Sequence, residues 1–249
     1  MRRVLSLITA TTALGLAAAS PAAAISPGDQ ALTEGAQCTL NFAFTGDGKT
    51  YMGYAAHCAG TGEATDTNGC EAGTRPIGTP VEIEGATRPG KLAYSSWTTM
   101  QAKGETDPNT CQYNDFALVE VDPVDAASVN PAVPTFGGPN GVGGETTTGQ
   151  QVRSVGNSSL RFGVGPLKPK YGVSLGTEAD GWNHPVYTAS PGIPGDSGSG
   201  FLTTDGKAFG ILSTLSIAPL AGSNGVSDLG KALGYMRANG GPQAALATA

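Results

Sequence analysis

Charge is scarce in this 249-residue chain, and positive charge scarcer still: 14 Lys and Arg stand against 20 Asp and Glu, a formal net charge of −6. An acidic chain has no electrostatic case for binding nucleic acid or an anionic membrane surface, so neither is expected as a partner. Histidine is nearly absent, with His57 and His184 alone, so any histidine base must be one of these two. Cysteine is limited to Cys38, Cys58, Cys70 and Cys111, at spacings that fit no zinc site, and neither histidine has a second ligand nearby in sequence. No metal and no cofactor is expected. Long apolar runs are missing too, apart from one at the N-terminus.

That run, from Val4 to Ala19, follows Arg2-Arg3 and precedes Ala22-Ala23-Ala24, the pattern of a signal peptide over residues 1–24. An uncleaved anchor is the alternative at this length, but the threonines, serines and Ala-x-Ala ending favour cleavage. Removing the segment takes away two positive charges and no acid, so the mature chain carries −8. An even cysteine count in an exported protein points to disulfides. A secreted, extracellular monomer is expected, with no stable membrane association after cleavage.

What the chain has in plenty is glycine, and one glycine-rich stretch carries chemistry. Gly195-Asp196-Ser197-Gly198-Ser199-Gly200 sets a serine in a tight turn whose backbone can approach a ligand closely. With Ser197 as nucleophile, the N–H groups of Gly195 and Ser197 can point at one developing oxyanion, each donor worth ~10²–10³ in rate. A serine nucleophile needs a base. His57 sits in Ala55-Ala56-His57-Cys58 after a strand-like run, whereas His184 sits beside Pro185 in a polar loop. Neutral imidazole, with a usual pKa of ~6.5, takes a proton near pH 7 when an acceptor fixes its other nitrogen. Asp115 is the best such acceptor, opening the alternating run 113–121. Taken singly, each segment is equally well a plain loop, a packed histidine or an aspartate at a strand start.

Together, Ala-Ala-His57-Cys58, Asn-Asp115-Phe-Ala-Leu and Gly-Asp196-Ser197-Gly-Ser-Gly resemble the trypsin/chymotrypsin-like serine proteases, especially their secreted actinobacterial branch. The order His, Asp, Ser separates that family from subtilisins and α/β-hydrolases, and Ser199 spoils the Gly-x-Ser-x-Gly elbow of the latter. The resemblance runs from about Cys38 to the C-terminal helix. It implies an all-β fold: two antiparallel β-barrels packed face to face with the active site between them, plus a C-terminal helix. Residues 25–125 would form the first barrel, with His57 and Asp115, and residues 126–249 the second, with Ser197 and the helix. It implies a serine endopeptidase acting on protein or peptide through a His57–Asp115–Ser197 triad and an acyl-enzyme, with Gly195 and Ser197 as the oxyanion hole.

The resemblance also implies a Cys38–Cys58 bridge beside His57, leaving Cys70 and Cys111 to pair. Asp196 should be buried and ion-paired. Ile25 lies only 13 positions before Cys38, too close for a free N-terminus to serve, so an internal arginine is expected: Arg161, with Arg153 as competitor. The substrate pocket should involve Pro191 and Gly192 beside the serine turn and Ser213-Thr214-Leu215 on the adjoining strand. Pro191 stands where basic-specific relatives carry an acid, and Leu215 where glycine is common. Small or medium apolar P1 side chains are therefore expected rather than basic ones. Two other classes share these features: a non-catalytic secreted binding protein on the same fold, and a secreted serine esterase.

Short alternating or apolar segments predict strands over 39–44, 50–55, 81–83, 91–97, 150–155, 160–164, 185–189, 200–202 and 208–216. Residues 122–139, rich in Pro, Ala and Gly, read as the crossing between barrels. Leu229, Ala232, Leu233 and Met236 share one helical face, with Ser227 as cap and Gly240-Gly241 as stop.

Overall fold

The computed structural model describes residues 24–62, 66–216 and 220–249. The expected signal peptide lies outside the described residues except for Ala24. The first half forms an eight-stranded antiparallel sheet from β1 (Gln30–Thr33), β2 (Ala36–Thr39), β3 (Ala43–Gly46), β4 (Lys49–Tyr54), β5 (Pro80–Ile83), β6 (Gly90–Ser95) and β7 (Ala117–Glu120). Its order is β14-β3-β4-β7-β6-β5-β1-β2, where β14 (Ala245–Leu246) is supplied by the end of the chain.

The sheet curls because β2 and β3, near its two ends, are consecutive in sequence. The predicted strand 39–44 is broken at residues 40–42: Leu40 N–H donates to Asp29 O at 2.9 Å, and Asn41 N–H donates to Gly53 O at 2.8 Å. One extended segment thus bonds first to β1 and then to β4. Phe42, Phe44, Met52, Tyr54, Leu92 and Phe116 fill the inside, all fully buried or nearly so. Buried residues alternate with more exposed ones over Gly90–Ala93 of β6, whereas Tyr51–Tyr54 of β4 are buried on both faces.

Two helices interrupt the strands, α1 (Ser96–Lys103) and α2 (Pro108–Tyr113). The run 91–97, predicted as strand, ends at Ser95, and its Ser96 and Trp97 open α1. Asp107 Oδ1 accepts from Thr110 N–H at 2.7 Å and Pro108 takes the first helical position, so α2 has a defined start. The Cys70–Cys111 bridge fixes α2 to the loop ahead of β5, and Cys38–Cys58 joins β2 to the turn after β4, as the resemblance implied.

Residues 121–150 cross between the halves without a strand. The second half is a closed antiparallel barrel, β10-β13-β12-β11-β8-β9, built from β8 (Gln151–Val155), β9 (Pro169–Ser174), β10 (Asn183–Thr188), β11 (Gly200–Thr203), β12 (Ala208–Ser216) and β13 (Ser223–Asp228). Val152, Val186, Phe201, Phe209, Leu212 and Val226 form its core. Closure leaves no free edge. Residues 160–164 are not a strand: Ser159–Arg161 is a single 3-10 turn and Phe162 follows in the left-handed region at φ 52°.

Helix α3 (Leu229–Ala238) buries Leu229, Ala232, Leu233 and Met236, the face its periodicity predicts, and packs against α1. Its cap is Asp228 rather than Ser227, because the carboxylate accepts from Lys231 N–H at 2.6 Å. Beyond α3, Ala245 and Leu246 pair with Thr45 and Phe44 of β3, so the chain ends back on the first sheet. Among the described residues no helix is long and apolar enough to cross a membrane.

Candidate active site

His57 lies on the 3-10 turn Ala56–Ala59, directly after β4, with Cys58 anchored to Cys38. Asp115 enters from the other side, between α2 and β7, and is 3% exposed. One of its oxygens accepts the His57 backbone N–H at 2.9 Å, and the other contacts His57 Nδ1 at 2.6 Å. Ser213 Oγ donates to that second oxygen at 2.6 Å. An ionised carboxylate only accepts, so the imidazole proton sits on Nδ1 and Nε2 carries the lone pair. Burial favours the neutral ring, but the charge of Asp115 and its hydrogen bond outweigh this and raise the His57 pKa above its usual value. Burial pushes Asp115 the other way, upward, and is overcome by His57 and Ser213, which hold it below the carboxylate range.

Ser197 belongs to a turn pinned from both halves of the molecule. Thr39 N–H donates to Ser197 O at 2.8 Å, Gly198 N–H to Leu212 O at 2.7 Å, and Asp196 N–H to Ile193 O at 2.8 Å. Among the described residues the N–H groups of Gly195 and Ser197 donate to no protein acceptor, and Ser197 Oγ has no hydrogen-bond partner. Ser197 and His57 line the same cleft of about 560 Å³, and hydrogen bonds between such groups commonly tighten when substrate fills the site.

Gly198 holds φ +89°, and a Cβ there would lie 2.5 Å from Thr39 O and 3.0 Å from Ala55 N. Both neighbours are backbone, so neither yields cheaply. Gly198→Ala is expected to cost about 3 kcal/mol through left-handed strain and overpacking, lowering Tm by roughly 10 °C in a thermal melt.

Asp196 is fully buried and faces two cations. Its Oδ2 lies 2.7 Å from Arg161 Nη2 and 2.8 Å from Lys170 Nζ, while Oδ1 accepts Ser158 N–H at 3.0 Å. Burial raises its pKa, but Lys170 and Arg161 overcome this and hold the carboxyl below its ordinary range. Lys170 is itself fully buried, and burial pushes its ammonium pKa down. Of the two arginines considered from sequence, Arg161 reaches Asp196, whereas Arg153 stacks over the Phe136 ring at 5.8 Å. Lys170 was not legible as a partner. It lies on the inward face of β9, a segment that the apolar patterning of strands does not mark.

Gly192, Ser213, Thr214 and Leu215 line the cleft; Pro191 does not, and its carbonyl oxygen accepts from Arg161 Nη2 at 2.6 Å. Leu215 is exposed at the rim. The residue missed on this side is Asn224 of β13, which is buried and lines the cleft. Its Oδ1 accepts Gly192 N–H at 2.7 Å, and its Nδ2 donates to Gly192 O and Thr214 O, both at 3.1 Å. A lone asparagine between Ser223 and Gly225 gives no hint of this in sequence. His184 is remote from the cleft, buried in the second barrel between Asp228 Oδ2 at 2.8 Å and Thr177 Oγ1 at 2.9 Å.

A curled sheet bearing a His–Asp pair and a closed barrel bearing a serine turn, meeting across one cleft, define the two-barrel fold of the chymotrypsin-like serine proteases. Thermobifida fusca protease A is similar at TM-score 0.58 and 20% identity, over 91% of this chain and all of that one. The Nocardiopsis protease follows at 0.54 and 18%, covering 89% and 98% of the two chains. The Cellulomonas bogoriensis chymotrypsin does so at 0.54 and 19%, covering 90% and 99%. No protein-family model and no curated protein matches the sequence. Likeness at this identity carries the fold, and the chemistry rests on the site's own residues.

Proposed function

We propose that this chain is a secreted serine endopeptidase in which Ser197 attacks a peptide carbonyl, His57 takes its proton, and Asp115 holds the ring. The observation that carries this is the Asp115–His57 hydrogen bond at 2.6 Å on a cleft that also holds Ser197 and the open N–H groups of Gly195 and Ser197. His57 Nε2, freed of its proton by the bond at Nδ1, accepts the serine proton as the Ser197 Oγ–carbon bond forms. The carbonyl oxygen becomes an oxyanion directed at the two N–H groups. His57 then returns the proton to the leaving amine as the C–N bond breaks, leaving an acyl-enzyme that water hydrolyses by the same proton route. The Asp196 ion pair with Arg161 and Lys170 holds the turn in shape. The signal-peptide pattern over residues 1–24 and the two disulfides support an extracellular location.

The pocket favours small or medium apolar P1 residues. Asn224 spends its amide on Gly192 and Thr214, Leu212 and Ile193 line the cleft, and among the described residues the acids lining it, Asp66 and Asp115, lie outside segments 191–193 and 213–215. A panel of peptide anilides varied at P1 tests this. Ala, Val and Leu should exceed Lys and Arg in kcat/KM by about tenfold or more, since an unpaired ammonium has no acceptor there. A preference for Lys or Arg would refute it.

The raised pKa of His57 sets the pH profile. Protonated His57 cannot accept the serine proton, so kcat/KM should fall as the pH drops through an apparent pKa above ~6.5. A pH–rate profile checks this, and a midpoint below the ordinary histidine value would contradict it.

A further inference from the structure

Glycine at position 195 leaves one question of direction open. Its φ is +93°, and a glycine accepts φ of either sign at little cost. Rotating the Pro194–Gly195 peptide by half a turn therefore meets no barrier from the residue itself. Such a rotation would replace the inward N–H with the Pro194 carbonyl oxygen and abolish one oxyanion donor. Something outside the turn must choose the orientation.

We propose that Ser158 makes that choice, as a positioning residue for the Gly195 N–H; this rests on the hydrolase reading above. Ser158 Oγ donates to Pro194 O at 2.6 Å. The peptide is trans, so its C=O and N–H point in opposite directions, and holding the carbonyl against Ser158 aims the Gly195 N–H away from it. Ser158 is buried at 3% exposure, so its hydroxyl would lose its acceptor if the Pro194 carbonyl turned away. Its own backbone N–H donates to Asp196 Oδ1 at 3.0 Å, so the same residue joins the buried carboxylate to the peptide plane it orients. The next plane is held separately, with Thr39 Oγ1 donating to Gly195 O at 2.8 Å. Ser158 Oγ also accepts Leu160 N–H at 3.2 Å, starting the turn that carries Arg161. Two consecutive peptides are thereby locked, one from each half of the molecule.

The test compares the wild-type mature protein with Ser158→Ala and Ser158→Thr, using a peptide anilide substrate, a peptide boronate that forms a tetrahedral adduct, and the peptide acid product. Ser158→Ala should lower kcat by about 10–100-fold with KM changed less than about twofold, between the worth of one neutral hydrogen bond and that of a whole oxyanion donor. Boronate affinity should fall in parallel with kcat while peptide acid affinity holds. Ser158→Thr, which keeps the hydroxyl, should restore kcat to within about fivefold of wild type. The pH of acid unfolding, to which Asp196 and its two cations contribute, should not move. Unchanged kcat in Ser158→Ala overturns the assignment. So does a loss in which kcat, product affinity and Tm fall together without rescue by threonine. A wild-type protein that neither turns over substrate nor binds boronate overturns the hydrolase reading, and this assignment with it.

Discussion

Asp115→Asn is expected to lower kcat by about 10⁴ while leaving the fold intact. The carboxylate has three donors on two oxygens: the His57 backbone N–H on one, and His57 Nδ1 with Ser213 Oγ on the other. An asparagine of the same shape has only one acceptor oxygen. If that oxygen takes the backbone N–H, the amide NH₂ faces Nδ1 and forces the imidazole proton onto Nε2, where it blocks uptake of the serine proton. The opposite placement sets NH₂ against the backbone N–H and breaks the turn that carries His57. Kinetics on a peptide anilide alongside a thermal melt separate this from misfolding. Activity lost with Tm within a few degrees of wild type is the expected result, whereas near-normal kcat would remove Asp115 from the chemistry.

Asp196→Ala is expected to cost both stability and activity. It strips the counter-charge from Lys170, which is fully buried, and from Arg161, which is nearly so, and it leaves the N–H groups of Ser158 and Ile193 without their acceptor. Breaking a buried pair from one side typically costs about 3–5 kcal/mol, here a fall in Tm of roughly 10–15 °C. The turn bearing Gly195 and Ser197 loses its anchor, so kcat should fall by about 10² or more. Lys170→Met should be milder, since it keeps an apolar stem and leaves Asp196 paired with Arg161. Because the folded pKa of Asp196 lies below its unfolded value, its contribution is full above about pH 4 and is lost as the pH falls through the folded value. Wild type should lose more stability there than Asp196→Ala does. Equal acid sensitivity in both proteins would contradict the ion-pair role.

What was legible in the sequence is what local geometry demands. The glycine-rich turn at 195–200, the histidine after a strand and the aspartate ahead of another each need particular residues at particular neighbours, so they leave short motifs. The face of α3 was legible because four apolar side chains repeat with helical period. Lys170 and Asn224 left no trace, since their roles depend on which strands the barrel brings together. Lys170 is a cation on an inward strand position that hydrophobic patterning excludes, tolerated only because Asp196 waits there. Residues 160–164, Leu-Arg-Phe-Gly-Val, carry strand-like composition but turn at Phe162 and Gly163, both at positive φ, as Arg161 reaches for Asp196. Helix α1 holds a Trp and two Thr, poor helix formers, and exists because Trp97 and Met100 bury against the first sheet. Tertiary contacts overrode local preference in both places.

The most direct measurement is labelling of the purified mature protein with a serine-directed fluorophosphonate, read by intact and peptide mass spectrometry beside Ser197→Ala and His57→Ala. An assembled His57–Ser197 pair predicts one phosphonyl adduct on Ser197 in the wild type, with both variants unlabelled. A folded, disulfide-intact wild type that takes up no label, or takes it up at another serine, would contradict the proposed catalytic centre.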